Sequence, residues 1–260
     1  MADTKMMSFL DHLGDLRKKI TVSLIVLLVA FMVTFNYSEY ILGFLMFPLK
    51  YNLEFSVQKM YLYFSPQDKL NNMKLIFLSP VEGFWMNMKI SLVAAMILSV
   101  PVFFQQLWSF VSPGLHGKEK KYVVPFVLTG TLLFLIGVSF CFFIVLPFAM
   151  SFLLSYKLGD YMMPMLSVGM YVDFCLKFVL AFGAVFELPI IILFFTRMGF
   201  VTPKTLAKHR KYAVLLAFLA AAILTPTPDA FNQILMALPI IVLYEVGILV
   251  SRIFAVKEVV

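Results

Sequence analysis

Charge is scarce in this sequence. Charged side chains make up 13% of its 260 residues, about half the share found in a soluble domain. Hydrophobic residues make up 62%, and the mean hydropathy is +0.95. This hydrophobic fraction is larger than the core of a soluble domain can bury. The composition therefore excludes the soluble classes and predicts an integral membrane protein.

Metal-ligating and disulfide-forming residues are also scarce. The two cysteines, Cys141 and Cys175, lie in separate apolar runs with no CxxC spacing. The three histidines, His12, His116 and His209, show no ligand spacing among themselves. This pattern is unlike a disulfide framework or a zinc site, so we expect no metal.

Six long apolar runs are present instead. They cover about 20–36, 85–107, 122–146, 172–195, 212–224 and 231–250. Crossing a bilayer core of about 30 Å takes roughly 20 helical residues, and uninterrupted runs are unlike the alternation of a membrane barrel. The sequence predicts an all-α integral membrane protein with six transmembrane helices in one domain, 1–260.

The basic residues predict the orientation of these spans. Fourteen of them fall on one side of a six-span topology: Lys5, Arg17, Lys18, Lys19, Lys118, Lys120, Lys121, Arg197, Lys204, Lys208, Arg210, Lys211, Arg252 and Lys257. The positive-inside rule makes that side cytoplasmic, so both termini are inside. The net charge of +7 then follows from topology and anionic lipid, and no nucleic-acid partner is needed.

The two ends of the chain carry unusual helices. Residues 1–19 have apolar positions on one stripe and predict an amphipathic helix in the cytoplasmic interface. The fifth run, 212–224, is too short for the full hydrocarbon core and joins the sixth through TPTPD. We expect Asp229 of that turn to cap the sixth helix.

One carboxylate lies deep in the fourth run. Glu187 sits inside FVLAFGAVFELPIIILFF (178–195), two residues before Pro189 and about 12 Å from the inner end by helical rise. A lipid-facing carboxylate there would be very costly, so Glu187 must face a wet cavity, face a partner helix or carry a proton. Closer to the membrane surfaces, Asp173 is expected to pair with Lys177 or snorkel, and Glu245 is a further candidate for packing or partner binding.

Several stretches together resemble the TatC family of the twin-arginine protein translocase. HLGDLRKK (12–19) is similar to its N-terminal motif, and SPVEGFWMNMKIS (79–91) to the entry of its second helix. PVFFQQLWSFVSPGL (101–115) resembles the exit of that helix and the first inner loop. FGAVFELP (182–189) and the stretch 224–248 resemble the fourth helix and the last hairpin.

The resemblance implies a concave, glove-like receptor for folded cargo whose signal peptides carry two arginines. It also implies TatA-type and TatB-type single-span partners, a multi-copy complex and the proton-motive force as energy source, with no nucleotide or other cofactor and no enzymatic activity. The cargo arginines would be held by Asp15 and Glu119. The resemblance assigns three groups of residues: signal-peptide binding to Asp15, Leu16, Arg17, Phe110, Pro113, Gly114, Leu115 and Glu119; intramembrane polar or partner contacts to Glu187, Pro189, Gln233 and Glu245; and an outer cap to Pro48, Pro80, Glu82 and Asp229.

The chemistry of the two carboxylates fits this assignment. A guanidinium forms a planar fork of donors that matches a carboxylate bidentately, which an ammonium cannot do. The alternative is that both carboxylates form surface ion pairs, Asp15 with Lys19 and Glu119 with its neighbouring lysines. Asp15 stands where the family usually has Glu, so its reach is shorter by one methylene.

Two other classes of membrane protein are alternatives to a receptor. A buried Glu beside a Pro is a feature of secondary transporters, but no inverted repeat is present. An intramembrane enzyme needs a catalytic constellation, and the apolar runs carry no Ser-His pair, Asp-Asp pair or HExxH.

Overall fold

The computed structural model is helical along most of the chain. It describes residues 9–56, 61–66, 75–111, 123–155, 166–225 and 229–254. In that part, eleven α-helices, one π-helical segment and two strands follow in this order: α1 Phe9–Asn36, α2 Ser38–Leu45, α3 Phe47–Lys50, β1 Tyr51–Ser56, β2 Tyr61–Pro66, α4 Glu82–Val111, α5 Val123–Phe140, the π-segment Cys141–Val145, α6 Leu146–Ser155, α7 Val168–Val185, α8 Leu188–Arg197, α9 Pro203–Lys208, α10 Arg210–Leu224 and α11 Ala230–Phe254.

Five spans in the described residues are long and apolar enough to cross a membrane. They are Leu13–Asn36, Glu82–Phe110, Val124–Leu154, Val168–Arg197 and Ala230–Phe254. Helix α10 is an apolar helix outside these five spans, with 15 residues and a length of about 22 Å.

Helix α10 lies antiparallel to α11. Arg210, at the start of α10, contacts Glu245 near the end of α11. Further along, the side-chain amide of Gln233 in α11 donates to the carbonyl of Phe218 in α10 at 3.1 Å. Both contacts place the first turn of α10 beside the second half of α11, as expected for an antiparallel pair of helices.

The third and fourth spans are each interrupted. In the third, α5 passes through the π-segment into α6, and Pro147 is the second residue of α6. In the fourth, α7 ends at Val185 and α8 begins at Leu188 with Pro189 in its first turn. Proline lacks a backbone donor and disfavours an uninterrupted helix before it, which accounts for both interruptions.

The fourth span is the centre of the molecule and the first span is peripheral. In the most apolar window of each span, 56% of residues are buried in the fourth and 6% in the first. Tyr171, Phe178 and Phe182 of α7 are almost completely buried. Most of α1 therefore presents its apolar side chains to lipid or partner helices, while α7 is surrounded by protein.

The long outer connection packs back onto the spans. Strands β1 and β2 form an antiparallel hairpin that pairs Tyr51 with Pro66. Before it, the ring of Phe44 stacks on Phe142 with centroids 4.5 Å apart, and Phe47 meets Phe64 of β2 edge to face at 5.2 Å. Aromatic contacts of this kind hold α2, α3 and the hairpin against the third span.

Candidate functional site

The first candidate site is a groove between α1 and α4 in the inner half of the molecule. It has a volume of about 390 Å³, and Leu16, Ile20 and Leu27 of α1 face Phe103, Leu107 and Phe110 of α4 across it. Leu16 and Phe110 belong to the two motifs predicted to bind a signal peptide. The fold therefore brings together residues that are 94 positions apart in the sequence.

Asp15 lies one residue before this groove. Its side chain is half-buried, whereas that of Arg17 is exposed. Lys19 lines the groove and donates to the hydroxyl of Ser109 at 2.6 Å. Within the described chain Lys19 forms no ion pair with Asp15, so the local pairing that would have occupied this carboxylate is absent.

The remaining predicted signal-peptide residues lie outside the described part. Pro113, Gly114, Leu115 and Glu119 fall in 112–122, between α4 and α5. Their roles, like that of Asp15, stay predictions.

Glu187 occupies the turn between α7 and α8 at the centre of the molecule. Its side chain is 7% exposed. One carboxylate oxygen, Oε1, has no hydrogen-bond partner in the described chain. The other, Oε2, lies 3.2 Å from the point where a Cβ on Gly130 of α5 would sit, and the ring of Phe104 of α4 lies 3.5 Å from the same point. Three spans therefore meet near a carboxylate that is buried and has one oxygen without a partner in the described residues.

The other two predicted intramembrane polar residues form contacts within the chain. Glu245 accepts from Arg210 at 2.6 and 2.8 Å through both of its oxygens. Gln233 donates to the carbonyl of Phe218. Both contacts join α10 to α11, so these side chains hold the last helical hairpin together.

Glu82 joins two outer segments that are far apart in sequence. One of its oxygens accepts from the backbone N–H groups of Leu78 and Ser79 at 2.5 and 3.3 Å. The other accepts from the hydroxyl of Ser167 and from the N–H of Gly169 at 2.7 Å. Because Ser167 also caps α7, one carboxylate satisfies backbone donors in the turn before α4 and at the start of α7.

We predict that Glu82→Gln lowers the apparent melting temperature of the detergent-solubilised protein by a few degrees. An amide has a single acceptor oxygen, so two of the donors would face an NH₂ group. Glu39→Gln is the matched control, since Glu39 is exposed in the first turn of α2. Equal melting temperatures for the two variants would contradict the double-capping role.

The other predicted outer-cap residues lie in three separate segments. Pro48 is buried in α3, and Pro80 is exposed in the turn before α4. Asp229 accepts from the backbone N–H of Asn232 at 2.7 Å, which is the hydrogen bond of a helix N-cap. Its second oxygen accepts from the side-chain amide of Asn232 at 3.0 Å.

An ion pair between α4 and α7 was missed by sequence reasoning. Lys89 donates to both oxygens of Asp173 at 2.7 and 2.9 Å, so the expected pairing of Asp173 with Lys177 is wrong. Lys89 lies seven residues after the start of α4, and Asp173 five after the start of α7. This similar depth below the outer helix ends is the signal that could have revealed the pair.

We predict a coupling energy of about 1 kcal/mol between Lys89 and Asp173, since both side chains are about 40% exposed and exposed pairs contribute little more. A double-mutant cycle with Lys89→Met and Asp173→Asn measures it through thermal unfolding. A second cycle that replaces Lys177 instead of Lys89 should give a coupling close to zero. The reverse order of the two coupling energies would contradict the observed pairing.

Comparison with known proteins identifies the family. The family model described as Sec-independent protein translocase protein (TatC) matches residues 11–239. The chain belongs to the TatC family. The TatC protein of Carboxydothermus hydrogenoformans is 36% identical over 98% of this chain and 97% of its own length. That of Aquifex aeolicus is 36% identical over 97% of this chain and 98% of its own.

A solved TatC structure has the same fold. The crystal structure described as the twin-arginine translocase receptor TatC has a TM-score of 0.77 and 36% identity, covering 93% of this chain and 98% of the other. The predicted fold class is confirmed, with the β1–β2 hairpin as an addition. This TatC-family chain is therefore a multi-pass membrane component of the Sec-independent protein translocation pathway.

Proposed function

We propose that this chain is the signal-peptide receptor and core subunit of a twin-arginine translocase in the bacterial cytoplasmic membrane. It binds Arg-Arg signal peptides of folded proteins and organises partner subunits for their export. The observation that carries the proposal is the α1–α4 groove, in which the HLGDLRKK motif of α1 meets the end of α4. Family membership along most of the chain supports the same function.

Two carboxylates form the proposed recognition site. Asp15 is half-buried on α1, and Glu119 follows α4 in the sequence, in the stretch 112–122 outside the described residues. Each carboxylate accepts one guanidinium bidentately, so the site prefers Arg-Arg over Lys-Lys by geometry and not by charge alone. The absence of an ion pair between Asp15 and Lys19 supports this assignment, because the carboxylate is not already neutralised by its helix neighbour.

The apolar groove beside Asp15 suits the rest of a signal peptide. Signal peptides place a run of 7–15 apolar residues directly after their basic segment. With the arginines at Asp15, that run would begin at Leu16 and Phe110 and continue along Ile20 and Leu27. Burial of apolar surface then supplies affinity, while the carboxylates supply specificity.

Glu187 is the best candidate among the polar residues for contact with a partner subunit or a passing peptide. Gln233 and Glu245 are engaged between α10 and α11, whereas Oε1 of Glu187 has no partner in the described residues. A hydrogen-bond donor from a TatA-type or TatB-type helix would satisfy it. The free energy for transport comes from the proton-motive force in this proposal.

An export assay tests the proposed function in cells that lack their own TatC. The chain is expressed with and without TatA-type and TatB-type subunits, and the export of a folded reporter is followed. We expect export with an Arg-Arg signal, loss of export with a Lys-Lys signal, and loss on adding an ionophore. Export of the Lys-Lys reporter at the same rate would contradict motif recognition, and export that survives the ionophore would contradict the energy source.

A further inference from the structure

A second cavity opens between α5, α8 and α11. It has a volume of about 430 Å³ and is lined by Phe126 and Thr129 of α5, Leu193 and Arg197 of α8, and Val246 and Phe254 of α11, with other apolar residues. The hydroxyl of Thr129 donates to the carbonyl of Pro125 at 2.7 Å. The wall above Arg197 is therefore apolar in character.

The depth of this cavity matches one leaflet of a bilayer. Along α8 its lining runs from Pro189 to Arg197, which is about 12 Å of helix. One leaflet contributes about 15 Å to the hydrocarbon core. Arg197 lies in the last turn of α8, which the predicted topology places at the inner membrane surface, so the cavity matches most of the inner leaflet.

A positively charged side chain, Arg197, lies at the inner end of the cavity. The guanidinium carbon of Arg197 lies 6.0 Å from the centroid of the Phe254 ring, within range of a cation–π interaction. The following segment carries Lys204, Lys208 and Lys211 on the same side of the membrane. An apolar slot with positive charge at its headgroup end is complementary to an anionic phospholipid.

The lining of the cavity favours a lipid as the occupant. The lining is apolar along the length of one leaflet and ends at a guanidinium, which matches an acyl chain and the phosphate above it. We infer that this cavity binds one acyl chain of an anionic phospholipid of the inner leaflet, with the lipid phosphate at Arg197.

Trp108 provides a reporter for this site. Its ring stacks on Phe126, a wall residue of the cavity, with centroids 4.5 Å apart. The sequence has two tryptophans, so Trp85→Phe leaves Trp108 alone. The full chain is reconstituted into vesicles of phosphatidylcholine containing increasing fractions of acyl-brominated phosphatidylglycerol or acyl-brominated phosphatidylcholine, and the quenching of Trp108 fluorescence is measured.

We expect half-maximal quenching at about a fivefold lower fraction of phosphatidylglycerol, since one Arg near an anionic surface contributes about that factor. Arg197→Gln removes this preference. Arg197→Lys retains most of it and shows that the site still folds. Arg252→Gln is the matched control, because Arg252 is exposed at the same end of α11 and does not line the cavity.

Filling the cavity tests its location. Val246→Phe should weaken quenching by both brominated lipids, because the added ring occupies the slot. Equal quenching by the two headgroups, equal effects of Arg197→Gln and Arg252→Gln, or unchanged quenching in Val246→Phe would each overturn the inference. The measurement uses no signal peptide, so its result is independent of the proposed receptor function.

Discussion

Replacing Glu187 with leucine is expected to make the protein more stable and to abolish transport. Oε1 is buried without a partner in the described chain, and an unsatisfied buried polar atom costs about 1–3 kcal/mol. Leucine removes that cost at a similar side-chain volume. If the carboxylate exists to meet a partner helix or a passing peptide, export of an Arg-Arg reporter falls by about tenfold or more, equivalent to about 1.4 kcal/mol.

Thr131→Val is the matched control for Glu187→Leu. Its hydroxyl is also buried without a partner in the described residues, and valine has nearly the same shape. We expect Thr131→Val to raise the melting temperature in detergent while leaving export unchanged. A destabilised Glu187→Leu variant would show that the carboxylate supports the fold. Normal export by this variant would show that transport does not need the carboxylate. Arg-Arg peptide binding should survive in both variants, since neither Glu187 nor Thr131 lines the α1–α4 groove.

Replacing Gly137 with alanine is expected to destabilise the contact between α5 and α7. A Cβ at Gly137 would lie 2.7 Å from both the carbonyl oxygen of Phe182 and the ring of Phe186. Backbone cannot retreat as a flexible side chain does, so the cost of overpacking is about 1–3 kcal/mol. The gain in helix propensity, about 1 kcal/mol, offsets only part of it. The free energy of unfolding in mixed micelles measures the difference.

Gly43→Ala is the control for Gly137→Ala. Gly43 also lies within a helix, but a Cβ there would meet no atom within 4 Å. We expect this variant to keep or raise the stability of the protein. Destabilisation of equal size in both variants would mean that close packing of α5 on α7 is not the cause.

The architecture of the spans could be predicted because it depends on local sequence. Runs of apolar residues long enough for a bilayer predict helices wherever they occur, and Pro189 indicates the interruption of the fourth span. The antiparallel α10–α11 hairpin follows from the short run 212–224 and the turn after it. These features need no knowledge of distant contacts.

The elements that escaped prediction depend on distant partners. The β1–β2 hairpin lies in a connection whose aromatic residues also suit packing on the membrane surface. The sequence pattern there is therefore consistent with more than one structure. Glu82 reaches Ser167 across 85 positions of sequence. Lys89 is 84 positions from Asp173, whereas Lys177 is four positions away on the same helix, and the local rule favoured the wrong partner.

Part of the candidate site could be predicted from the sequence, and part of it could not. The resemblance assigned Leu16 and Phe110 to signal-peptide binding, and the fold places both on one groove. Assignment of Gln233 and Glu245 as intramembrane polar residues did not reveal that they hold α10 against α11. That role requires the pairing of two helices, which a single carboxylate or amide in the sequence does not indicate.

Recognition of two arginines by Asp15 and Glu119 is the central claim. The direct measurement is binding of a labelled Arg-Arg signal peptide and its Lys-Lys twin to the purified, detergent-solubilised chain. Asp15→Ala, Glu119→Ala and the control Glu39→Gln are compared with the original protein. We expect tighter binding of Arg-Arg, loss of the preference in both alanine variants and no change in Glu39→Gln. Equal binding of the twin peptides by the original protein, or a preference that survives both alanine substitutions, would contradict the claim.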